Sequence, residues 1–170
     1  IYRTDLSGKE QIGNILIDGQ MFPHQGFFRN GNYPAHAQVL EEAHLIYIPI
    51  HSFEMVLANN PQICIKIFRI LGDKIVDLQN RLEEQILHNT YEQIISLLLR
   101  LAKNYGVEKE KNLYIIKNNF TNRDLANMIG SSRETVNRTL NQLKKKNLIR
   151  VDDGGNFIFN IDDLKRELSR

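Results

Sequence analysis

Residues 121–146 read TNRDLANMIGSSRETVNRTLNQLKKK, and their order of caps, apolar positions and one glycine leaves little choice of fold. Thr121 with Asp124 is a capping-box pattern, so a helix is predicted to start there. Leu125, Ala126 and Ile129 fall on one face of it. Gly130 supplies the conformational freedom that a tight turn needs. Ser131 or Ser132 caps a second helix, whose buried stripe is Val136, Leu140 and Leu143. The small side chain of Ala126 lets that second helix cross closely. The spacing predicts a helix-turn-helix.

The stripe leaves Arg133, Glu134, Asn137 and Arg138 facing outward. Arginine bonds bidentately to guanine O6 and N7, and glutamate accepts from cytosine N4. This face therefore suits base reading in a DNA major groove. Two simpler roles compete: an ion pair between Glu134 and Arg138, four residues apart, and a capping-box contact from Glu134 to Ser131. Ser132, Thr135, Thr139 and Thr121 complete the expected DNA-contacting set.

Downstream, Leu148 to Val151 and Phe157 to Ile161 flank Asp152-Asp153-Gly154-Gly155-Asn156, a β-hairpin pattern. A hairpin after the reading helix makes a winged helix. Its tip is acidic, which disfavours a grip on phosphate. Asp162 to Leu168 reads as a closing helix. Upstream, Tyr91 to Asn104 is broadly apolar through Ile94, Ile95, Leu97, Leu98, Leu99 and Leu101, and Gly106 is expected in the C′ role. Val107 to Asn112 reads as a polar loop and Leu113 to Lys117 as a strand.

Pro61 marks the start of a long helix expected to reach about Asn89. Cys64, Phe68, Leu71, Ile75, Leu78 and Leu82 recur at alternating steps of four and three, a heptad seam. So narrow a seam favours pairing with a second copy over an ordinary core face. Residues 1–53 show short alternating runs (Ile12 to Ile17, Gln38 to Leu40, Leu45 to Ile50) between turn residues. They suit the end of an antiparallel barrel or jelly roll. His51 to Asn59 reads as a short helix.

The charge is divided unevenly. Residues 1–90 hold 7 Lys and Arg against 10 Asp and Glu, and residues 91–170 hold 15 against 10. The second part thus carries net +5 and points to a polyanion. Cys64 is the single cysteine, so no internal disulfide forms, and a reducing cytoplasm is expected. No apolar run is long enough to span a membrane. The chain opens on Ile1 and is read as lacking an N-terminal segment.

With these elements in order, the chain resembles the Crp/Fnr family of bacterial transcription regulators. The most specific element is Gly130-Ser131-Ser132-Arg133-Glu134-Thr135-Val136-Asn137-Arg138. The resemblance implies an α+β fold in three parts. Residues 1–59 would be the C-terminal part of a cyclic-nucleotide-binding-type β jelly roll. Residues 60–90 would be the dimerisation helix, and residues 91–170 the winged helix-turn-helix. It also implies a homodimer on palindromic double-stranded DNA, a half-site similar to TGTGA, and contact with RNA polymerase.

Cyclic-nucleotide binders of this family carry a Gly-Glu pair for the ribose and an Arg-Ser or Arg-Thr pair for the phosphate. Here Pro23-His24 and Pro34-Ala35 stand at those places. Cyclic nucleotide binding in the usual mode is not expected. Tyr33 to Glu41 looks more like the Fnr branch, whose best-known form holds an iron–sulfur cluster. One thiol cannot hold such a cluster, so ligands would have to come from a missing N-terminal segment. A redox or small-molecule sensor of that kind is the alternative reading. His24, His36, His44 and His51 match no metal motif. Phe22, Phe27 and Phe28 either pack the barrel or line an apolar effector pocket. No nucleophile–base pair or phosphate loop occurs, so an enzyme is not expected.

Overall fold

The computed structural model describes residues 1–23, 31–117 and 120–169. They fall into two compact units, Ile1–Leu82 and Glu83–Arg170.

The first unit opens with a hairpin, β1 (Tyr2–Thr4) against β2 (Glu10–Ile12). Asp5 closes its turn, its Oδ1 accepting from the Ser7 and Lys9 amides. Tyr2 also exchanges backbone hydrogen bonds with His36. The expected strands at Ile12 to Ile17, Gln38 to Leu40 and Leu45 to Ile50 do not form, apart from Ile12 at the end of β2. Ile50 instead begins α1 (Ile50–Asn59). The cause is the lack of partners: Val39, Leu40, Leu45, Ile46 and Tyr47 are all exposed. An alternating run becomes a strand only when a neighbour pairs its edge and covers its apolar face. Phe22 is partly exposed. His24, Phe27 and Phe28 lie outside the described residues.

Pro61 starts α2 (Pro61–Leu87), where its missing N–H costs nothing. The helix stops two residues before the expected end because Asn89 is used to cap the next one. Within the unit, α2 buries Ile67 and half-buries Cys64 and Leu71. Cys64 Sγ lies 3.3 Å from the Leu57 carbonyl oxygen of α1. Cys64 thus serves its own chain, and the seam expected from it narrows. Phe68, Ile75, Leu78 and Leu82 remain, each more than half exposed.

The second unit contains most of the core. Asn89 caps α3 (Thr90–Tyr105): its side chain accepts from the Tyr91 and Glu92 amides, and Glu92 Oε2 accepts from the Asn89 amide at 2.8 Å. Ile94, Ile95, Leu97, Leu98, Leu101 and Ala102 of α3 are buried. Gly106 ends the helix without a left-handed turn, at φ −77°. Glycine is required there for space: a Cβ would lie 2.5 Å from the Ala102 carbonyl oxygen and 2.9 Å from the Tyr114 ring.

The next stretch, expected as a loop, is β3 (Val107–Glu110), paired antiparallel with β4 (Leu113–Ile116). All of β3 is exposed, so it carries no apolar alternation to betray it. The sheet order is β3-β4-β6-β5, with β5 (Arg150–Val151) and β6 (Phe157–Asn160) forming the wing hairpin. Asn160 caps α6 (Ile161–Leu168), and Leu164 of α6 is fully buried.

Candidate nucleic-acid interface

Two helices carry the interface, α4 (Asn122–Ile129) and α5 (Arg133–Lys145). Thr121 caps α4. Its hydroxyl accepts from the Asp124 amide, and Asp124 Oδ2 accepts from the Thr121 amide at 2.8 Å. Gly130 sits at φ 71°, ψ 25° with open space where a Cβ would stand, so the turn needs its backbone freedom. Leu125, Ala126 and Ile129 pack inward with Val136, Leu140 and Leu143, all buried. These contacts fix the angle at which α5 leaves the turn.

Ser132, rather than Ser131, caps α5 through the Thr135 amide at 3.1 Å. Its hydroxyl also meets the Thr135 hydroxyl at 2.9 Å. Glu134 therefore has no part in the cap. The Glu134–Arg138 ion pair does not form either. Among the described residues, Arg133, Glu134 and Arg138 have no hydrogen-bond or ion-pair partner, and all three are exposed. Three charged side chains on one capped helix thus stand exposed without a partner among the described residues. Thr139 is different: it is 5% exposed, packed in the interior with Leu140, and is removed from the expected phosphate contacts.

Glu134, Asn137 and Arg138 share one open face of α5 with Asn141, Gln142 and Lys145. The last three were missed in the sequence. Helical spacing carried the signal, since Gln142 and Lys145 follow Arg138 and Asn141 by one turn. A further contact was also invisible: Asn122 Nδ2 donates to Asn137 Oδ1 at 3.3 Å, tying α4 to the reading face.

The far end of α5 is anchored. Lys146 Nζ lies 2.5 Å from Glu167 Oε1 and 5.0 Å from the centre of the Tyr91 ring. Tyr91 Oη donates to the same carboxylate at 2.8 Å. Burial, then the Glu167 contact, pushes the Tyr91 phenol above its usual pKa, with Lys146 opposing. Glu167 and the Tyr91 hydroxyl raise that of Lys146. At the wing tip, Asn156 donates to both Asp152 oxygens at 2.8 Å and holds that carboxyl below its usual range. The tip stays anionic.

Residues 92–167 match the Crp-like helix-turn-helix domain, and residues 1–60 match the cyclic nucleotide-binding domain. The chain is 30% identical to the anaerobic regulatory protein of Bacillus subtilis, over 94% of this chain and 72% of that protein. The chain belongs to the Crp/Fnr family of transcription regulators. This is a family of DNA-binding regulators rather than enzymes, and its members typically bind DNA as dimers. A CRP-like cAMP-activated global transcriptional regulator of Mycobacterium tuberculosis is 24% identical over 98% of this chain and 74% of its own length. Among solved structures, the c-di-GMP-responsive regulator CLP of Xanthomonas campestris shares the fold. Its TM-score is 0.77 at 15% identity, covering 94% of this chain and 79% of that one. Other structures of the fold are matched over little more than half their length, 55% and 53%.

A cyclic nucleotide needs a cation for its phosphate. Gly31 to Ile50 contains no Lys or Arg but two glutamates, Glu41 and Glu42. Ala35 offers no polar side chain, and the His36 ring packs against the Tyr2 ring, with centroids 5.3 Å apart. These residues do not fit that ligand. Nor do they fit a metal cluster: among the described residues, no three His, Cys, Asp or Glu stand close enough to hold an ion. No described helix is long and apolar enough to cross a membrane.

Proposed function

We propose that this chain is a homodimeric regulator that reads a palindromic DNA site. Arg133, Glu134 and Arg138 contact base edges, and Asn137 lies beside them. Thr121, Ser132 and Thr135 face the phosphates. The observation that carries this reading is the exposed, unpartnered Arg133/Glu134/Arg138 face on a helix capped at one end and anchored at the other. Free guanidinium and carboxylate groups match guanine and cytosine edges. A half-site similar to TGTGA would use both arginines and the glutamate.

The second copy would join along Phe68, Ile75, Leu78 and Leu82, with Leu71 flanking. That stripe is apolar and uncovered in one chain. A two-fold pair of reading helices calls for half-sites one helical turn apart, about 34–36 Å. The same reading places the protein in the cytoplasm, in contact with RNA polymerase.

Selection from a random duplex library tests this. Recovery of an inverted repeat supports it, while unenriched sequence or a single half-site sinks it. Cyclic nucleotide in the usual mode is no part of the proposal.

The name of the Bacillus relative favours a second reading for the input, a redox signal. Cys64 alone cannot bind a cluster that takes four ligands, so the thiolates would lie outside this chain. Visible charge-transfer bands in anaerobically purified full-length protein would support it. A featureless spectrum would remove it.

A further inference from the structure

We propose that Lys145 grips a backbone phosphate from the last turn of α5, a contact that the wing tip does not make. This rests on the DNA-reading function proposed above and names a contact within it. Residues 144–146 are three successive lysines, and the fold places each differently. Lys146 is held inside the chain by Glu167 and the Tyr91 ring. Lys145 shares the open face of Glu134, Arg138 and Asn141. At about 100° per residue, it stands about 20° around the helix from Arg138, whereas Lys144 stands about 120° away. Lys144 and Lys145 are both exposed, and neither side chain has a partner among the described residues.

Length decides what Lys145 can reach. Glu134 and Lys145 are eleven positions apart, which is about 16 Å along a helix axis. The DNA major groove is about 12 Å wide and about 8.5 Å deep. A helix docked by its N-terminal residues leaves the groove floor within that length. Its last turn then comes level with the phosphates. A lysine ammonium is a compact charge on a flexible stem, suited to an anion beyond the end of the base-reading face.

The wing tip offers no alternative. It carries Asp152 and Asp153, both exposed. The Asn156 side chain holds the Asp152 carboxyl below its usual range. Two carboxylates repel a phosphate strand, so the contact nearest the base-reading residues falls to α5 itself. A cation in the last turn also favours the helix dipole. That benefit is common to Lys144 and Lys145, so Lys144→Gln is a matched control.

The experiment titrates the full chain with the selected duplex and a random one across a range of salt concentrations. The unaltered protein, Lys145→Gln and Lys144→Gln are compared, and circular dichroism melting checks that both variants fold. Lys145→Gln should weaken binding to both duplexes by the same factor. It should also lower the slope of log affinity against log salt by about 0.9 per half-site. Lys144→Gln should change that slope by less than about half as much. Duplexes with one phosphate at a time replaced by a neutral methylphosphonate locate the contact. Replacement at one position in each half-site should weaken the unaltered protein by about threefold and leave Lys145→Gln unaffected. An unchanged slope in Lys145→Gln, equal shifts in the two variants, or no such phosphate position overturns the inference. A loss confined to one base pair overturns it too, since that marks a base reader. If the unaltered chain binds selected and random duplexes alike, it is the DNA-reading function that fails.

Discussion

Arg138 stands exposed on α5, on a face whose other charged members are Glu134 and Lys145. Among the described residues it has no partner to lose, so truncation should act on DNA binding. Arg138→Ala should cost about 1–3 kcal/mol on the selected site and relax the preference at one base pair. Titration of cognate and random duplexes checks this, and equal losses on both would contradict base reading. Glycine at 106 makes a contrasting case. Its φ of −77° suits any residue, yet the gap to Ala102 and Tyr114 does not admit a methyl group. Gly106→Ala should therefore destabilise the second unit by about 1–3 kcal/mol, as overpacking does. An unchanged denaturation midpoint would show that the last turn of α3 and the Tyr114 ring both shift to admit the methyl group.

At the level of elements, legibility followed burial. The helices α2 to α6 and the wing could be read because their apolar positions are periodic and their ends carry Thr121, Ser132, Pro61 or Gly130. The strand β3 could not, since Glu108, Lys109 and Glu110 face water and show no apolar alternation. The alternating runs at 38–50 misled in the opposite sense, showing a strand pattern with no neighbour to complete it. In the site, the outward face of α5 was legible from its first turns, whereas Thr139 was misassigned because one helical position separates the face from the core. On α2 the surviving stripe makes its own prediction. Leu78→Glu would place a carboxylate in the proposed dimer seam, and it should yield monomers by light scattering; an unaltered mass would refute the seam. Between α3, α5 and α6, the Tyr91–Lys146–Glu167 contact predicts alkaline sensitivity. Tyr91 and Lys146 both bind their protons more tightly folded than unfolded. Their contribution is complete below the ordinary values of 10.0 and 10.5 and is lost as pH rises through the higher folded values. Melting temperature should fall in that range, and less steeply in Tyr91→Phe. Identical slopes would mean that other groups dominate.

Across the whole molecule the two units differ in what they declare. The second unit holds the positive excess, the buried core and a reading face with free charges. The first belongs to the cyclic nucleotide-binding fold by match, yet its segment from Gly31 to Ile50 lacks a cation for the phosphate. Calorimetry with cyclic AMP or cyclic GMP should therefore give no saturable heat. Binding in the micromolar range would show that another part of the chain supplies the charge. The output end of such a regulator is set by a few side chains on one helix, which sequence displays directly. The input end depends on which groups converge in space, and linear order does not display that.

The anchoring of α5 at both ends also bears on the thermodynamics of recognition. Ser132 closes its first turn, and Lys146, just past its last turn, is clamped by Glu167. A helix already ordered when it meets DNA owes no folding cost at that moment. The heat-capacity change of binding should then follow from the contact surface alone, without the excess that marks a segment folding as it binds.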